Sequence, residues 1–196
     1  MDAVRPMRAD ARRNYERLLA VAARAFAEHG ENASLDDIAR RAGVGSGTLY
    51  RHFPNRQALL EAVYVGRIEA LAARADVLTG ELPPGEALVA WLGEMCAVTI
   101  QVRGLKALLG SAVADGGAVV TACGTCLKDA AGRLCAAARA EGTLREDVEA
   151  VEVLRLAHAV ATASELAGGG EEQIRRYLAL VVDGLRGDSD SGSGPG

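Results

Sequence analysis

With 196 residues the chain is long enough for one large domain or two small ones. It is 49% hydrophobic yet only 4% aromatic. Ala and Leu recur, proline is scarce and strand-like alternation of β-branched residues is nearly absent, so an all-α fold is expected. The Arg-rich start lacks the apolar core of a secretory signal, and no run of about 18 apolar residues would form a membrane span. Four dispersed cysteines are too few for a disulfide scaffold and fit a reducing cytoplasm. The net charge of −4 would by itself argue against a nucleic-acid partner, but its distribution does not. The first 56 residues carry ten Arg, no Lys and seven acidic groups, net +3, whereas the remainder nets −7. A basic module on an acidic body confines attraction for a polyanion to one end.

In chain order, 1–11 reads as a short Arg-containing arm. A helix over 14–28 follows, with Leu18, Leu19, Ala22, Ala25 and Phe26 along one side, ended by His29 and Gly30. The stretch SLDDIARRAGVGSGTLYRHF, 34–53, reads as two short helices joined by a tight turn. Ser34 suits an N-cap, with Asp37 as the acidic partner of a capping box. Leu35, Ile38, Ala39 and Ala42 make one apolar stripe, and Gly43 stands where a helix ends at positive φ. Ser46 is expected to cap the second helix, which Pro54 stops. That helix would bury Leu49 and Phe53 and present Ser46, Gly47, Thr48, Tyr50, Arg51 and His52. Small, hydroxyl, aromatic and cationic groups on a protruding helix suit phosphates and base edges in a major groove. The chain therefore reads as a DNA-binding protein.

Asn55 then caps a long helix to about residue 76. A break at Pro83-Pro84-Gly85 precedes helical stretches at roughly 86–102, 105–114, 118–141, 148–167 and 171–186, separated by glycines that include Gly104. The expected organisation is a helix-turn-helix domain over 1–56, a helical body over 57–186 and a Gly/Ser-rich disordered tail over 187–196.

The leading helix ending AFAEHG, the helix-turn-helix and the following NRQALLEAV together resemble the tetracycline-repressor (TetR) family of bacterial transcription regulators, over about residues 14–65. The resemblance implies an all-α homodimer, with a three-helix DNA-binding head and a C-terminal bundle that binds a small molecule and dimerises. It implies DNA contacts from Ser46, Gly47, Thr48, Tyr50, Arg51 and His52. Ser34 and Leu35 would contact phosphate at the start of the second helix. Arg12, Arg13 and Asn14 would approach the backbone from the first. Where many relatives place Lys at the start of the fourth helix, this chain has Arg56, which would take that phosphate.

The same resemblance makes Tyr64, Trp91, Met95, Thr99 and Leu108 candidate pocket residues, against the alternative of plain core packing. A pocket drawn from them would favour a hydrophobic or aromatic effector. Cys123 and Cys126 form a CxxC that Cys96 and Cys135 could complete as a metal or thiol site. Its helical setting beside Leu127 and Leu134 instead suggests small core filler or a pocket wall, with Leu127 itself a pocket candidate. The last two long helices carry more apolar surface than a small domain covers. Val151, Leu154, Leu156, Val160, Ile174, Leu178, Val181, Val182 and Leu185 would pair across a twofold axis as a four-helix interface. His158 is placed at that interface or in the core. No catalytic constellation, metal site or cofactor motif is present in the sequence. The expected partners are a double-stranded DNA operator, a small-molecule effector and a second copy of the chain, in the cytoplasm. A small-molecule or thiol-redox sensing protein whose head serves another partner is the alternative.

Overall fold

A computed structural model describes residues 4–109 and 118–186, with side chains over 12–30, 32–101 and 124–186. Among the described residues there are eight α-helices and no strand: α1 Val4–His29, α2 Leu35–Arg41, α3 Ser46–His52, α4 Arg56–Glu81, α5 Pro84–Leu109, α6 Ala118–Ala140, α7 Ala150–Leu166 and α8 Glu171–Leu185. A single 3₁₀ turn, Gly30–Asn32, follows α1. No helix among them is long and apolar enough to cross a membrane. The all-α expectation holds, with three local corrections. From Val4 onward the expected N-terminal arm is helix, because Pro6 falls in the first turn, where backbone N–H groups have no helical partner anyway. Gly104 does not divide α5, since an isolated glycine costs a helix only about 1 kcal/mol. And α4 outlasts its expected end by five residues, stopping before Pro83 with Pro84 opening α5. The stretch expected to be helical to residue 114 and the tail over 187–196 lie partly or wholly outside the described residues.

The described residues group into two compact units. The first holds α1, α2, α3 and the start of α4, with the end of α5 and the first residues of α6. Here α1 packs on α2 and α2 on α3. Most of the stripe read from the sequence is buried: Leu18, Ala22, Ala25 and Phe26 from α1, Ile38, Ala39 and Ala42 at α2, Leu49 from α3 and Leu59 and Val63 from α4, while Leu19 and Leu35 are half-buried and Leu60 joins the core. Gly66 lets α4 lie close to α1, since a Cβ there would stand 3.3 Å from Leu19 Cδ1.

In the second unit one core runs through α4, α5, α6, α7 and α8. Trp91 is fully buried at its centre, and its indole Nε1–H donates to the Leu71 carbonyl at 2.8 Å. A buried indole needs such a partner, so this bond fixes α5 against α4 as well as filling volume. On the rim, Arg74 forks onto Glu94 at 3.0–3.2 Å and Arg133 reaches Asp76 at 2.9 Å. Glu149 and Glu152 make a reciprocal capping box that starts α7.

Cys96 and Cys135 lie in this core, and the Cys96 Sγ–H donates to the Ala157 carbonyl at 3.3 Å. Burial pushes the Cys96 thiol up to about 11 and raises that of Cys135 in the same direction. Both thiols therefore stay protonated at neutral pH and behave as small apolar filler. Cys126 is half-buried, and the side chain of Cys123 lies outside the described residues.

Three outcomes are expected. Trp91→Ala should lower stability by about 3–5 kcal/mol in a denaturant titration. Alkylation at pH 8 should label Cys126 well before Cys96 and Cys135, which should react only as the body unfolds. Because the folded state holds the Cys96 proton more tightly than the unfolded chain does, its contribution to stability is present at neutral pH and lost between about pH 9 and 11.

Candidate nucleic-acid interface

The head is assembled by short-range rules. Ser34, in extended conformation, caps α2 by accepting the Asp37 N–H at 3.4 Å. The second half of the expected capping box is replaced by ion pairs. Asp37 is held by Arg40 and, at 2.6 Å, by Arg41, and the Arg40 hydrogen bond leads in drawing its carboxyl below the usual range. Arg40 and Arg41 are thus engaged on their own helix; Arg41 also reaches Glu28 at 3.5 Å.

At its other end α2 closes with a complete Schellman turn. Gly43 N–H donates to the Arg40 carbonyl and Val44 N–H to that of Ala39, at 3.1 and 3.0 Å, with Gly43 at φ +66°. Any other residue at Gly43 would be strained. The next helix, α3, takes Gly45 as its N-cap and has no side-chain cap, so Ser46 is its first residue and not the cap expected from the sequence. The carbonyl of Gly45 receives the N–H groups of both Thr48 and Leu49, which leaves the Ser46 hydroxyl free to face outward.

On α3, Leu49 and Phe53 point inward and are buried. Ser46, Gly47, Tyr50, Arg51 and His52 are exposed, Tyr50 by 44%, and Thr48 is half-buried. A Cβ added at Gly47 meets nothing within 4 Å, so its small size serves no packing need inside the chain. Arg51 lies back along its helix, donating to the Gly47 carbonyl at 3.1 Å and the Thr48 hydroxyl at 3.2 Å. These exposed bonds are weak enough to be exchanged for a phosphate or base edge.

Sequence reasoning missed Tyr15. Its ring lies 6.1 Å from His52 and 5.7 Å from Phe53, making an aromatic joint between α1 and the end of α3. The one sequence signal was an aromatic on the otherwise polar side of α1. Among the other candidates, Arg12 pairs with Glu16 at 2.8 Å, Arg13 is exposed, and Asn14 accepts from Arg17 at 3.0 Å. Ser34 is exposed and Leu35 half-buried at the start of α2. Arg56 is turned inward: its guanidinium stands over the Phe26 ring at 5.8 Å and donates to the Ala33 carbonyl.

The remaining candidates are dispersed. Tyr64 is buried in the first unit. In the second, Trp91, Met95, Cys126 and Leu127 share the core, and Thr99 is half-buried. The side chains of Leu108 and Cys123 lie outside the described residues. Clefts on the surface of the second unit run past other residues, one beside Leu82, Val89 and Val182 and another beside Gln173, Tyr177 and Leu180.

The residues expected at a twofold interface differ in burial. Val160, Ile174 and Leu178 line the unit's own core, and Leu154, Val181 and Leu185 pack against it. Val151 and Val182 are half-buried. The apolar side chains that α7 and α8 leave to solvent are Leu156, Leu166 and Leu180, at 37, 83 and 65% exposure, with Ala159, Ala163 and Ala179 exposed beside them. His158 is exposed on the same helix.

Comparison with known proteins agrees with this arrangement. Residues 18–63 match the model of bacterial regulatory proteins of the tetR family, and residues 83–187 match a transcriptional regulator SbtR-like C-terminal domain. The TetR transcriptional regulator SCO0520 from Streptomyces coelicolor superposes with TM-score 0.78 at 37% identity, over 89% of this chain and 99% of that one. A TetR transcription regulatory protein from Mycobacterium vanbaalenii gives 0.71 at 35% identity, over 92% and 99%. An HTH-type transcriptional regulator of Staphylococcus aureus (strain USA300) is 46% identical over 54 residues, a match spanning 27% of this chain and only 29% of that protein. With a helix-turn-helix at one end, a helical body behind it and both halves matched, the chain belongs to the TetR family: it is a DNA-binding transcription regulator and not an enzyme.

Proposed function

We propose that the chain is a homodimeric repressor that leaves a palindromic operator when a small, mostly hydrophobic effector binds. In this reading residues 1–56 are the reading head, residues 57–186 the effector-binding and dimerising body, and the site of action is the cytoplasm. One observation carries it: α3 is pinned from behind by Leu49 and Phe53, and everything it turns outward suits a major groove. Ser46, Gly47, Thr48, Tyr50, Arg51 and His52 form the reading surface. Ser34 and Leu35, with Arg12, Arg13 and Asn14, flank it toward the phosphates.

Pairing is assigned to the exposed stripe Leu156, Ala159, Ala163 and Leu166 on α7 with Leu180 on α8. Its 3-4-3 spacing keeps one apolar face open for the matching face of a second copy. Two heads would then meet half-sites about one helical turn, or a multiple, apart. The effector would be held among the apolar side chains of the body, with Trp91, Met95, Cys126 and Leu127 as its wall. It can move the heads only through its differential affinity for two conformers, typically ~1–3 kcal/mol. The thiol-redox form of the alternative, a sensing protein whose head serves another partner, is opposed by the buried, protonated thiols of Cys96 and Cys135.

The decisive variant is Gly47→Ala. Alanine fits the open space at that position and should leave the fold intact or firmer, by up to about 1 kcal/mol. It should nevertheless weaken binding to a duplex enriched from random sequence, since a methyl would keep the helix from close approach. Undiminished affinity in a gel shift would remove α3 from the interface. Tyr50→Ala should cost about 1–3 kcal/mol in the same assay with no loss of thermal stability.

The association itself should weaken steeply between about 50 and 200 mM salt. For the dimer, Leu166→Glu with Leu180→Glu should yield folded monomers by sedimentation. A dimer that persists would place the interface elsewhere.

A further inference from the structure

The two ends of α2 are held by guanidinium groups from the helices on either side of it. At the C-terminal end, Arg17 Nε of α1 donates to the Ala42 carbonyl at 2.7 Å, and its Nη2 is steadied by Asn14 Oδ1 at 3.0 Å. At the other end, Arg56 Nη2 of α4 donates to the carbonyl of Ala33, the residue just before the Ser34 cap. The Arg56 guanidinium lies over Phe26 and its Nη1 is shut off from solvent. A seven-residue helix has almost no stability of its own, so its direction is set by what holds its ends. The Ala42 carbonyl is one of those a helix end leaves without a helical partner. A cation there makes a charge-assisted bond and complements the dipole. The Gly43 turn begins at the next residue, so whatever orients α2 also orients α3.

The geometry points to Arg17 and Arg56 as positioning residues for DNA recognition: a two-ended brace that sets how the reading helix leaves the head, in place of the phosphate contact first expected of Arg56. The assignment rests on α3 being the reading helix. Its prediction differs from that of a phosphate contact in one respect. A phosphate contact strengthens binding to every duplex, whereas a brace matters only where α3 must match a sequence.

The test uses the full-length dimer, a duplex enriched from random sequence, and a scrambled duplex of equal length. Arg17→Met and Arg56→Met keep most of the apolar stem while removing the fork. Each should lose about tenfold or more in affinity for the enriched duplex. Affinity for the scrambled duplex and the slope of log affinity against log salt should remain those of the parent. Equal loss on both duplexes with the slope shallower by about 1 would make the residue a phosphate ligand and overturn the brace, as would no loss on either. Should the Met variants fail to fold, Arg17→Lys and Arg56→Lys give the same comparison. Lysine lacks the planar fork, so a brace stays impaired, while a phosphate contact would be restored. If the parent protein enriches no duplex at all, the reading of α3 fails rather than the brace.

Discussion

The head depends on burying two side chains from a helix of two turns. Seven residues cannot hold an α-helix in water, so α3 depends on the burial of Leu49 and of its C-cap Phe53, with α2 packed on the helix and Tyr15 of α1 against the Phe53 ring. That anchoring also decides which atoms face outward: with one side fixed in the core, the other is turned to solvent as the proposed reading surface. The Schellman turn at Gly43 gives the geometry its sharpness, since both of its hydrogen bonds must form for α3 to begin where it does. Positive φ at a single glycine thus connects a local backbone rule to the placement of Tyr50 and Arg51. The charge balance follows the same division, with cations gathered on the head and acid on the body.

The body is a different kind of object. It is held by one extensive apolar core with Trp91 at its middle, tied by the indole bond to Leu71 and by ion pairs along the rim. The helix α4 carries the chain from the first unit into the second, so its first turns belong to the recognition machinery and its last to the core beneath Trp91. The proposed effector response would need such a shared element, because coupling requires one piece of structure that both sites bias.

How much of this was legible in the sequence depended on the range of the interaction. The Ser34 cap, the Gly43 turn, the stop at Pro54 and the stripe through Leu35, Ile38, Ala39 and Ala42 are rules within one helix or turn and are legible directly, whereas α3 starts from Gly45 and not from a Ser46 cap. Gly104 reads as a break because a glycine's propensity cost is visible in sequence, yet α5 runs through it, the cost being only about 1 kcal/mol. The bonds from Arg17 to Ala42 and from Arg56 to Ala33 span 25 and 23 residues, and no spacing pattern announces them. Arg56 therefore looked like any exposed cation at a helix start. On α7 and α8 the periodicity showed abundant apolar surface but could not tell the stripe that closes the unit's own core from the one left outside. Val160, Ile174 and Leu178 line that core, whereas Leu156, Leu166 and Leu180 are exposed.

The central claim is that the outward side of α3 is the surface that meets DNA. Amide hydrogen exchange of the full-length protein, with and without an enriched duplex, addresses it residue by residue. The account predicts slowed exchange concentrated over Ser46–His52 and the start of α2 at Ser34–Leu35, with the α7 and α8 amides unchanged. Protection confined to the body, with α3 exchanging as fast as in the free protein, would contradict it.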